Sequence, residues 1–176
     1  AGSCWLVGIW TSKIFIRNLQ EESFRRSANI AHAILSGIDP ADFSAVDRPE
    51  DRGGEAYERI YGTAKRICEL SKVEYTPQWI LHKIRQGRYY FGINNWRGPI
   101  FEPFIVPKER RIFFDALRQK TPQSGTYRDD QGEWSSYVVP VADQDGKVIN
   151  VLELYRSTDA QARIEAEIRT KVARVM

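Results

Sequence analysis

Several features that define common protein classes are scarce in this chain. It has two cysteines, Cys4 and Cys68, and their wide separation gives neither a metal-ligand spacing nor a disulfide framework. The apolar run from Cys4 to Trp10 is too short to cross a bilayer, which takes about 20 apolar residues. These shortages exclude a disulfide-stapled scaffold and a cysteine-based metal site.

Charge and histidine content exclude further classes. The formal net charge is only +3, and acids and bases alternate along the chain, so nucleic acid is not an expected partner. Neither His32 nor His82 has a second ligand three or four residues away, which argues against a metal site. No nucleophile arrangement is recognisable, and Tyr127 with Asp129 does not make a catalytic centre. We therefore expect no enzyme activity, no cofactor and no metal in this chain.

The composition is that of a folded domain. Apolar residues make up 42% and aromatic residues 12% of the 176 residues, enough for a sizeable core in a single domain over residues 1–176. The only methionine is Met176, and the chain starts Ala1-Gly2-Ser3, so we expect it to be a segment of a longer protein. Cys4 to Trp10 is then either the outer end of a membrane helix or the buried start of a soluble one.

The order of predicted elements is mixed helix and strand. Apolar spacing predicts a long N-terminal helix over 11–36 and a second helix over 55–70, with a loop rich in Asp, Pro and Gly between them. Two strands, a proline-containing loop, a short helix, three strands and a last helix follow. Their predicted bounds are 73–84, 88–96, 97–107, 108–120, 124–129, 134–142, 148–155 and, starting at Thr158 or Asp159, 158–176. Tight turns between the final strands predict a mostly antiparallel sheet, hence an α+β fold.

Two acidic turns, Asp129–Gly132 and Asp143–Gly146, raise the question of a calcium site. Each turn lies between two strand-like runs and ends in glycine, as hairpin turns do. If Gly146 were position six of an EF-hand loop, Val141 and Leu152 would occupy positions that must be acidic. The first turn fails in the same way, so both turns are predicted to be hairpin corners. Asp129 shares a strand face with Tyr127 and could still anchor a ligand beside an aromatic wall.

The C-terminal half resembles a known family. The segments Gly125-Thr126-Tyr127-Arg128-Asp129, Gly132-Glu133-Trp134, Val138-Val139-Pro140-Val141 and Asp145-Gly146-Lys147-Val148-Ile149 are similar to the three closing strands of Cache (PAS-like) extracellular sensor domains. The resemblance extends diffusely over about residues 11 to 160. It implies a single PAS-like core at 55–157, with a five-stranded antiparallel sheet between a long N-terminal helix and a membrane-proximal C-terminal helix.

The resemblance implies that the chain is part of a receptor. Cache domains lie outside the cytoplasmic membrane, detect small molecules and control histidine kinases, chemoreceptors, cyclases or cyclic-dinucleotide enzymes. We expect an extracytoplasmic domain tethered to the membrane through flanking helices. A parallel homodimer through the first helix is the natural assembly, although that helix's apolar stripe could instead face its own sheet. The alternative is a cytosolic PAS-like dimerisation or cofactor-binding module.

The predicted binding site draws on the aromatic stretch from 79 to 104 and on the closing strands. By resemblance, the pocket lies between the sheet and the loop and helix after its second strand. Arg97 is expected to bind a carboxylate, and Asp129 an amine, at opposite ends of one cavity, which would suit an amino acid. A carboxylic acid or a nearly apolar ligand fits equally well, and core packing is the competing role for the aromatic residues. The predicted ligand-binding residues are Trp79, Tyr90, Asn94, Trp96, Arg97, Phe101, Phe104, Tyr127 and Asp129.

Overall fold

The computed structural model describes residues 3–71 and 77–158. Four α-helices and five strands make up most of this part of the chain. The helices are α1 (Ser3–Ser36), α2 (Pro40–Ala45), α3 (Glu55–Leu70) and α4 (Arg111–Gln119), and a 3-10 turn covers Pro49–Asp51. The strands are β1 (Gln78–Arg85), β2 (Arg88–Asn94), β3 (Gln123–Asp129), β4 (Gly132–Ala142) and β5 (Val148–Ser157).

The end of α1 and the start of α2 carry recognisable signals. The long helix α1 ends at Gly37, whose amide donates to the Ala33 carbonyl over 3.1 Å. Asp39 caps α2, because its side chain accepts a 2.9 Å hydrogen bond from the Ala41 amide and Pro40 occupies the first turn. The sequence prediction of a continuous loop between α1 and α3 is therefore wrong at α2, whereas the predicted bounds of α3 are confirmed.

The five strands form one antiparallel sheet in the order β2-β1-β5-β4-β3, which confirms the predicted α+β fold class. Gln86 and Gly87 both have left-handed φ angles, +51° and +73°, which a two-residue hairpin turn between twisted strands requires. Both acidic turns are hairpin corners, as predicted. In the second, an Asp143 carboxylate oxygen accepts from the amides of Asp145 and Lys147 over 3.1 and 2.9 Å.

Side chains alternate between the two faces of the sheet and build two separate cores. The face packed against the first three helices, called here the α3 side, carries a large apolar cluster. This cluster includes Ile30, Ile34, Ile60, Ala64, Cys68, Trp79, Leu81, Ile93, Leu152 and Leu154. The opposite face, the α4 side, carries a smaller cluster of Phe113, Ala116, Val138 and Val151.

The loop between β2 and α4 wraps around the edge of the sheet. It follows β2 closely, since the Phe101 amide donates to the Phe91 carbonyl over 2.6 Å and the Phe104 amide to Tyr89 over 2.9 Å. Phe101 packs against the α3-side core, whereas Phe104 packs on the α4 side. One loop thus connects both faces. Its lack of a helix or strand over 97–107 confirms the prediction, although α4 starts at Arg111 rather than at 108.

Some predictions fall outside this part of the chain. The predicted C-terminal helix lies beyond residue 158, and the first residues of the predicted 73–84 strand fall within 72–76, so neither belongs to the described residues. Among those that are described, no helix combines the length and apolar character needed to span a membrane.

Candidate functional site

A group of charged and polar side chains, some buried and some half-buried, lies on the α4 side, where strand alternation would ordinarily place apolar residues. We call it the Arg110 cluster. Its members come from β1, β3, β4, β5 and the residue that precedes α4. They are His82, Arg110, Tyr127, Asp129, Trp134, Ser136 and Glu153.

Glu153 is the most deeply buried acid of the cluster, with 1% of its surface exposed. Ser136 donates to one carboxylate oxygen over 2.8 Å, and His82 Nε2 lies 3.1 Å from the other. Burial alone would raise the pKa of Glu153, but the hydrogen bond and charge of His82, the charge of Arg110 and the Ser136 hydroxyl hold that pKa below its usual value. Glu153 is therefore an ionised carboxylate inside the core.

Asp129 is the second acid, at the end of β3. The indole Nε1 of Trp134 donates to it over 2.9 Å, and the Gln131 amide donates to the same oxygen over 3.0 Å. Burial opposes ionisation, but these hydrogen bonds and the Arg110 guanidinium keep the pKa of Asp129 below its usual value. Asp129 therefore presents a fixed negative charge beside the ring of Tyr127.

Arg110 links the two acids. Its Nη2 lies 3.4 Å from Asp129 and its Nη1 lies 3.4 Å from Glu153, with the side chain only 16% exposed. The guanidinium also covers the Tyr127 ring, with its central carbon 4.4 Å from the ring centroid. The loop that wraps the β2 edge turns Arg110 inward just before α4, so this basic residue at a helix start is not part of a solvated face.

The cluster has unused hydrogen-bonding capacity. Five buried side-chain atoms of the described residues have no hydrogen-bond partner in the protein, and three belong to this cluster: His82 Nδ1, Arg110 Nε and the Tyr127 hydroxyl. Each such atom costs on the order of 1–3 kcal/mol when buried. Charged groups with unpartnered donors and acceptors next to aromatic rings are the kinds of side chain that orient a small molecule.

Aromatic side chains from the loop and from α4 pack on the His82 ring of the cluster. Phe104 stacks on the His82 ring, with centroids 4.5 Å apart, and Phe113 meets that ring edge-on at 5.4 Å. Burial and the nearby Glu153 charge raise the pKa of Tyr127, so its hydroxyl stays protonated at neutral pH. The arrangement can offer a guanidinium to a carboxylate and a carboxylate to an amine, within an otherwise apolar wall.

Three of the predicted ligand-binding residues, Phe104, Tyr127 and Asp129, lie in or against this cluster. The others lie on the α3 side or at the edge that the loop crosses. Trp79 packs against Tyr61, with centroids 5.8 Å apart. Tyr90 and Phe101 pack together. Asn94 is buried and bonded to the backbone of Gly92 and Gly98. Trp96 is 50% exposed, and Arg97 lies next to it in the chain.

Arg97 is not near Asp129. Its guanidinium lies 2.6 Å from Glu58 and 4.2 Å from the ring centroid of Tyr61, both on α3, and Arg52 donates to its carbonyl. The chain turns toward α3 at this point, with a left-handed φ of +53° at Arg97. The expected cavity with Arg97 and Asp129 at opposite ends is therefore not formed, because the sheet lies between them.

Sequence reasoning missed Arg110, Glu153, Ser136 and the role of His82. Two features of the sequence could have indicated buried polar residues. Glu153 lies within the apolar run Val151-Leu152-Glu153-Leu154, and His82 directly follows the apolar pair Ile80-Leu81. Buried strands rarely contain an acid without a partner. The pairing of β1 with β5 puts Ile80 opposite Glu153 and His82 opposite Val151, so His82 and Glu153 become diagonal neighbours. Ser136 joins them through the pairing of β4 with β5.

Comparison with known proteins supplies structural neighbours. No protein-family model matches the chain, and no curated protein matches it in sequence. Several solved structures resemble part of its fold. One is the ligand-binding domain of the Campylobacter jejuni chemoreceptor Tlp3 in complex with L-norvaline, at 16% identity and a TM-score of 0.49, covering 85% of this chain and 57% of that one.

A second structure of the Tlp3 ligand-binding domain, in complex with 4-methylisoleucine, has the same identity, coverage and TM-score. A PAS domain from Colwellia psychrerythraea is 14% identical over 46% of this chain and 85% of that one, with a TM-score of 0.35. The chain thus spans somewhat more than half the length of the chemoreceptor domains that it resembles.

Proposed function

We propose that this chain is a sensor domain that binds a small ligand on the α4 side of its sheet, at the Arg110 cluster. The observation that carries the proposal is the set of buried charges with three unpartnered polar atoms under an aromatic cover. A purely structural cluster would be expected to satisfy its own hydrogen bonds. Unpaired buried polar groups destabilise the folded protein, and such local violations are typical of functional sites, where a bound molecule can supply the missing hydrogen bonds.

The charges suggest the ligand class, a carboxylate or an amino acid. Arg110 and Asp129 form an ion pair at 3.4 Å, longer than a charge-assisted hydrogen bond of about 2.8 Å. An amino acid can insert into such a pair, with its carboxylate on the guanidinium and its amine on Asp129, and conserve the charge of the site. Phe104, Tyr127 and Asp129 remain proposed ligand contacts, and Arg110 takes the carboxylate-binding role first assigned to Arg97.

Signal transmission is proposed to pass through the loop that wraps the β2 edge. A ligand that moves Phe104 or Arg110 also displaces the other end of the loop, where Arg97 pairs with Glu58 on α3. Helix α3 packs against α1 within the α3-side core. Ligand binding would then shift the population of α1 positions, by no more than its differential affinity for the two states.

The cellular context completes the proposal. We infer an extracytoplasmic domain of a membrane receptor, with a parallel homodimer formed through α1. This part rests on the sequence resemblance to Cache sensors and on the length of α1, 34 residues. It predicts an apolar stretch of about 20 residues on each side of this segment in the parent gene product. A parent protein lacking both stretches would favour a cytosolic PAS-like module instead.

The test of ligand binding is calorimetric titration with the common amino acids and with short carboxylic acids. We expect saturable binding without chemical conversion of the ligand. Asp129→Asn should weaken binding at least tenfold, because a charged partner is lost. Asp145→Asn is the matched control, since Asp145 is an exposed acid in the other hairpin corner, and it should bind normally. Equal affinities of the two variants, or no saturable ligand, would contradict the proposal.

A further inference from the structure

The two oxygens of the Asp129 carboxylate are in different environments. Oδ1 accepts two hydrogen bonds of ordinary length, from the Trp134 indole over 2.9 Å and from the Gln131 amide over 3.0 Å. Among the described residues, the donor on Oδ2 is the Arg110 guanidinium, at the longer distance of 3.4 Å. Since each carboxylate oxygen offers about two acceptor positions, Oδ1 is fully used and Oδ2 can accept a further hydrogen bond.

Glu153, the other acid of the Arg110 cluster, has donors close to both of its oxygens. Ser136 donates to Oε1 over 2.8 Å. His82 Nε2 lies 3.1 Å from Oε2, and Arg110 Nη1 lies 3.4 Å from the same oxygen. The Glu153 side chain is 1% exposed, whereas that of Asp129 is 11% exposed. Asp129 Oδ2 is therefore the acid oxygen of the cluster best placed to accept a donor from a ligand.

Trp134 can orient the Asp129 carboxylate because its own position is fixed by the sheet. It pairs with Tyr127 on β3 and with Ser157 on β5. Its ring meets the ring of Tyr155 edge-on, with centroids 5.7 Å apart. The indole has one hydrogen-bond donor and no acceptor, and that donor is directed at Oδ1 of Asp129.

The Gln131 amide alone gives a weaker constraint on the same carboxylate. It lies two residues after Asp129, and such local bonds from an Asp side chain to its own turn are common. The terminal torsion of an Asp side chain is broad and roughly two-fold, so a single donor leaves the carboxylate free to turn. The indole N–H of Trp134, which comes from the neighbouring strand, supplies the second donor that restricts this rotation.

We propose that Trp134 is a positioning residue that makes the site selective for ligands with an ammonium group. By holding Oδ1 it directs Oδ2 of Asp129 at the ligand's ammonium, beside the Arg110 guanidinium that binds the ligand's carboxylate. Without the indole N–H, the Asp129 carboxylate turns onto Arg110 and pairs with it through both oxygens. The inference rests on the proposed function, since it concerns selectivity at the same site.

The test compares each amino acid that binds with the acid that lacks its α-amino group, starting with alanine and propionate, by titration calorimetry at neutral pH. Trp134→Phe keeps an aromatic ring against Tyr155 and removes the N–H. We expect it to lower the ratio of alanine affinity to propionate affinity about five- to tenfold, the effect of one lost hydrogen bond. Tyr137→Phe is the matched control, because Tyr137 is an aromatic residue of the same strand that packs against the α3-side core; it should leave the ratio unchanged.

Urea denaturation separates positioning from a contribution to stability. If Trp134 were only structural, Trp134→Phe would lower the free energy of unfolding and leave the affinity ratio unchanged, and this result would overturn the inference with the proposed function intact.

A second measurement uses the unmodified protein and does not depend on the variant's folding. At saturation, alanine should shift the Trp134 indole N–H signal in ¹⁵N NMR spectra more than propionate does, because only alanine brings an ammonium to Asp129. Equal shifts would overturn the inference. Binding of propionate or another simple acid without binding of any amino acid would overturn the inference alone, whereas absence of binding by both kinds of ligand would overturn the proposed function with it.

Discussion

Replacing Arg110 with methionine removes the cation that Asp129 and Glu153 share, while keeping most of the side chain's length and apolar contact. Both carboxylates remain, one 11% and the other 1% exposed. Asp129 keeps its hydrogen bonds from Trp134 and the Gln131 amide. Both acids lose the charge that favours ionisation, so the folded state should be destabilised.

The magnitude follows from the geometry. Removing one partner of a fully buried ion pair costs about 3–5 kcal/mol. Here the guanidinium is 16% exposed and both contacts are 3.4 Å, so we expect a smaller loss of about 2–3 kcal/mol. For a domain of this size that corresponds to a decrease in Tm of roughly 5–10 °C.

The loss should also depend on pH. Asp129 and Glu153 have pKa values below the usual ones in the folded protein. Their ionisation therefore stabilises the fold above the unfolded-state pKa of about 4, and this stabilisation disappears as pH falls through the lowered values. Without Arg110 the carboxylates contribute less at neutral pH. The difference between the two proteins should consequently shrink below about pH 4.

Urea denaturation followed by tryptophan fluorescence measures this difference. Arg118→Met is the matched control, because Arg118 is on α4 and pairs with Asp115 but is 75% exposed; it should change the free energy of unfolding by less than about 1 kcal/mol. If Arg110→Met were as stable as Arg118→Met, or if its deficit grew on acidification, our account of the cluster's electrostatics would be refuted.

Three further predictions concern the scaffold. Phe113→Ala should cost about 3–5 kcal/mol in urea denaturation, since Phe113 is fully buried; a cost below 1 kcal/mol would mean that α4 packs differently. Gly92→Ala should lower Tm strongly, because its Cβ would lie 1.8 Å from the Leu81 carbonyl oxygen on β1. Gly62→Ala, in open space on α3, should raise Tm slightly, and equal shifts in the two variants would contradict the close approach of β1 to Gly92. Asp42→Asn should flatten the loss of stability on acidification below about pH 4, because Arg59 holds the pKa of Asp42 below its usual value in the folded protein; an unchanged pH dependence would exclude that pairing.

Local patterns in the sequence predicted local structure well. The amphipathic spacing of α3 predicts its bounds, and glycines with left-handed φ mark the hairpin corners. Helix α2 was missed because the stretch that contains it, residues 39–54, is rich in Asp, Pro and Gly, a composition typical of a loop. Asp39 followed by Pro40 is nonetheless a helix start, with the carboxylate as cap. The loop-like composition of this stretch therefore misled the prediction, whereas the position of Asp39 directly before Pro40 indicates the helix correctly.

The candidate site was only partly predictable, because it is assembled from distant segments. Tyr127 and Asp129 share a strand face, so their proximity follows from the strand period. Arg110 and Glu153 are 43 positions apart, and no local pattern pairs them. Arg97 looked suitable because it lies among aromatic residues, but the sequence does not specify on which side of the sheet a loop residue comes to rest.

The most direct test of the proposed site is the indole N–H signal of Trp134 in ¹⁵N NMR spectra, recorded while amino acids and short carboxylic acids are added. This indole donates to Asp129 over 2.9 Å, so a ligand that engages Asp129 must change its environment. We predict a saturable shift of the Trp134 signal, with the exposed Trp96 indole near Arg97 unaffected. A ligand that shifts Trp96 and leaves Trp134 unchanged would contradict the assignment of the site to the α4 side.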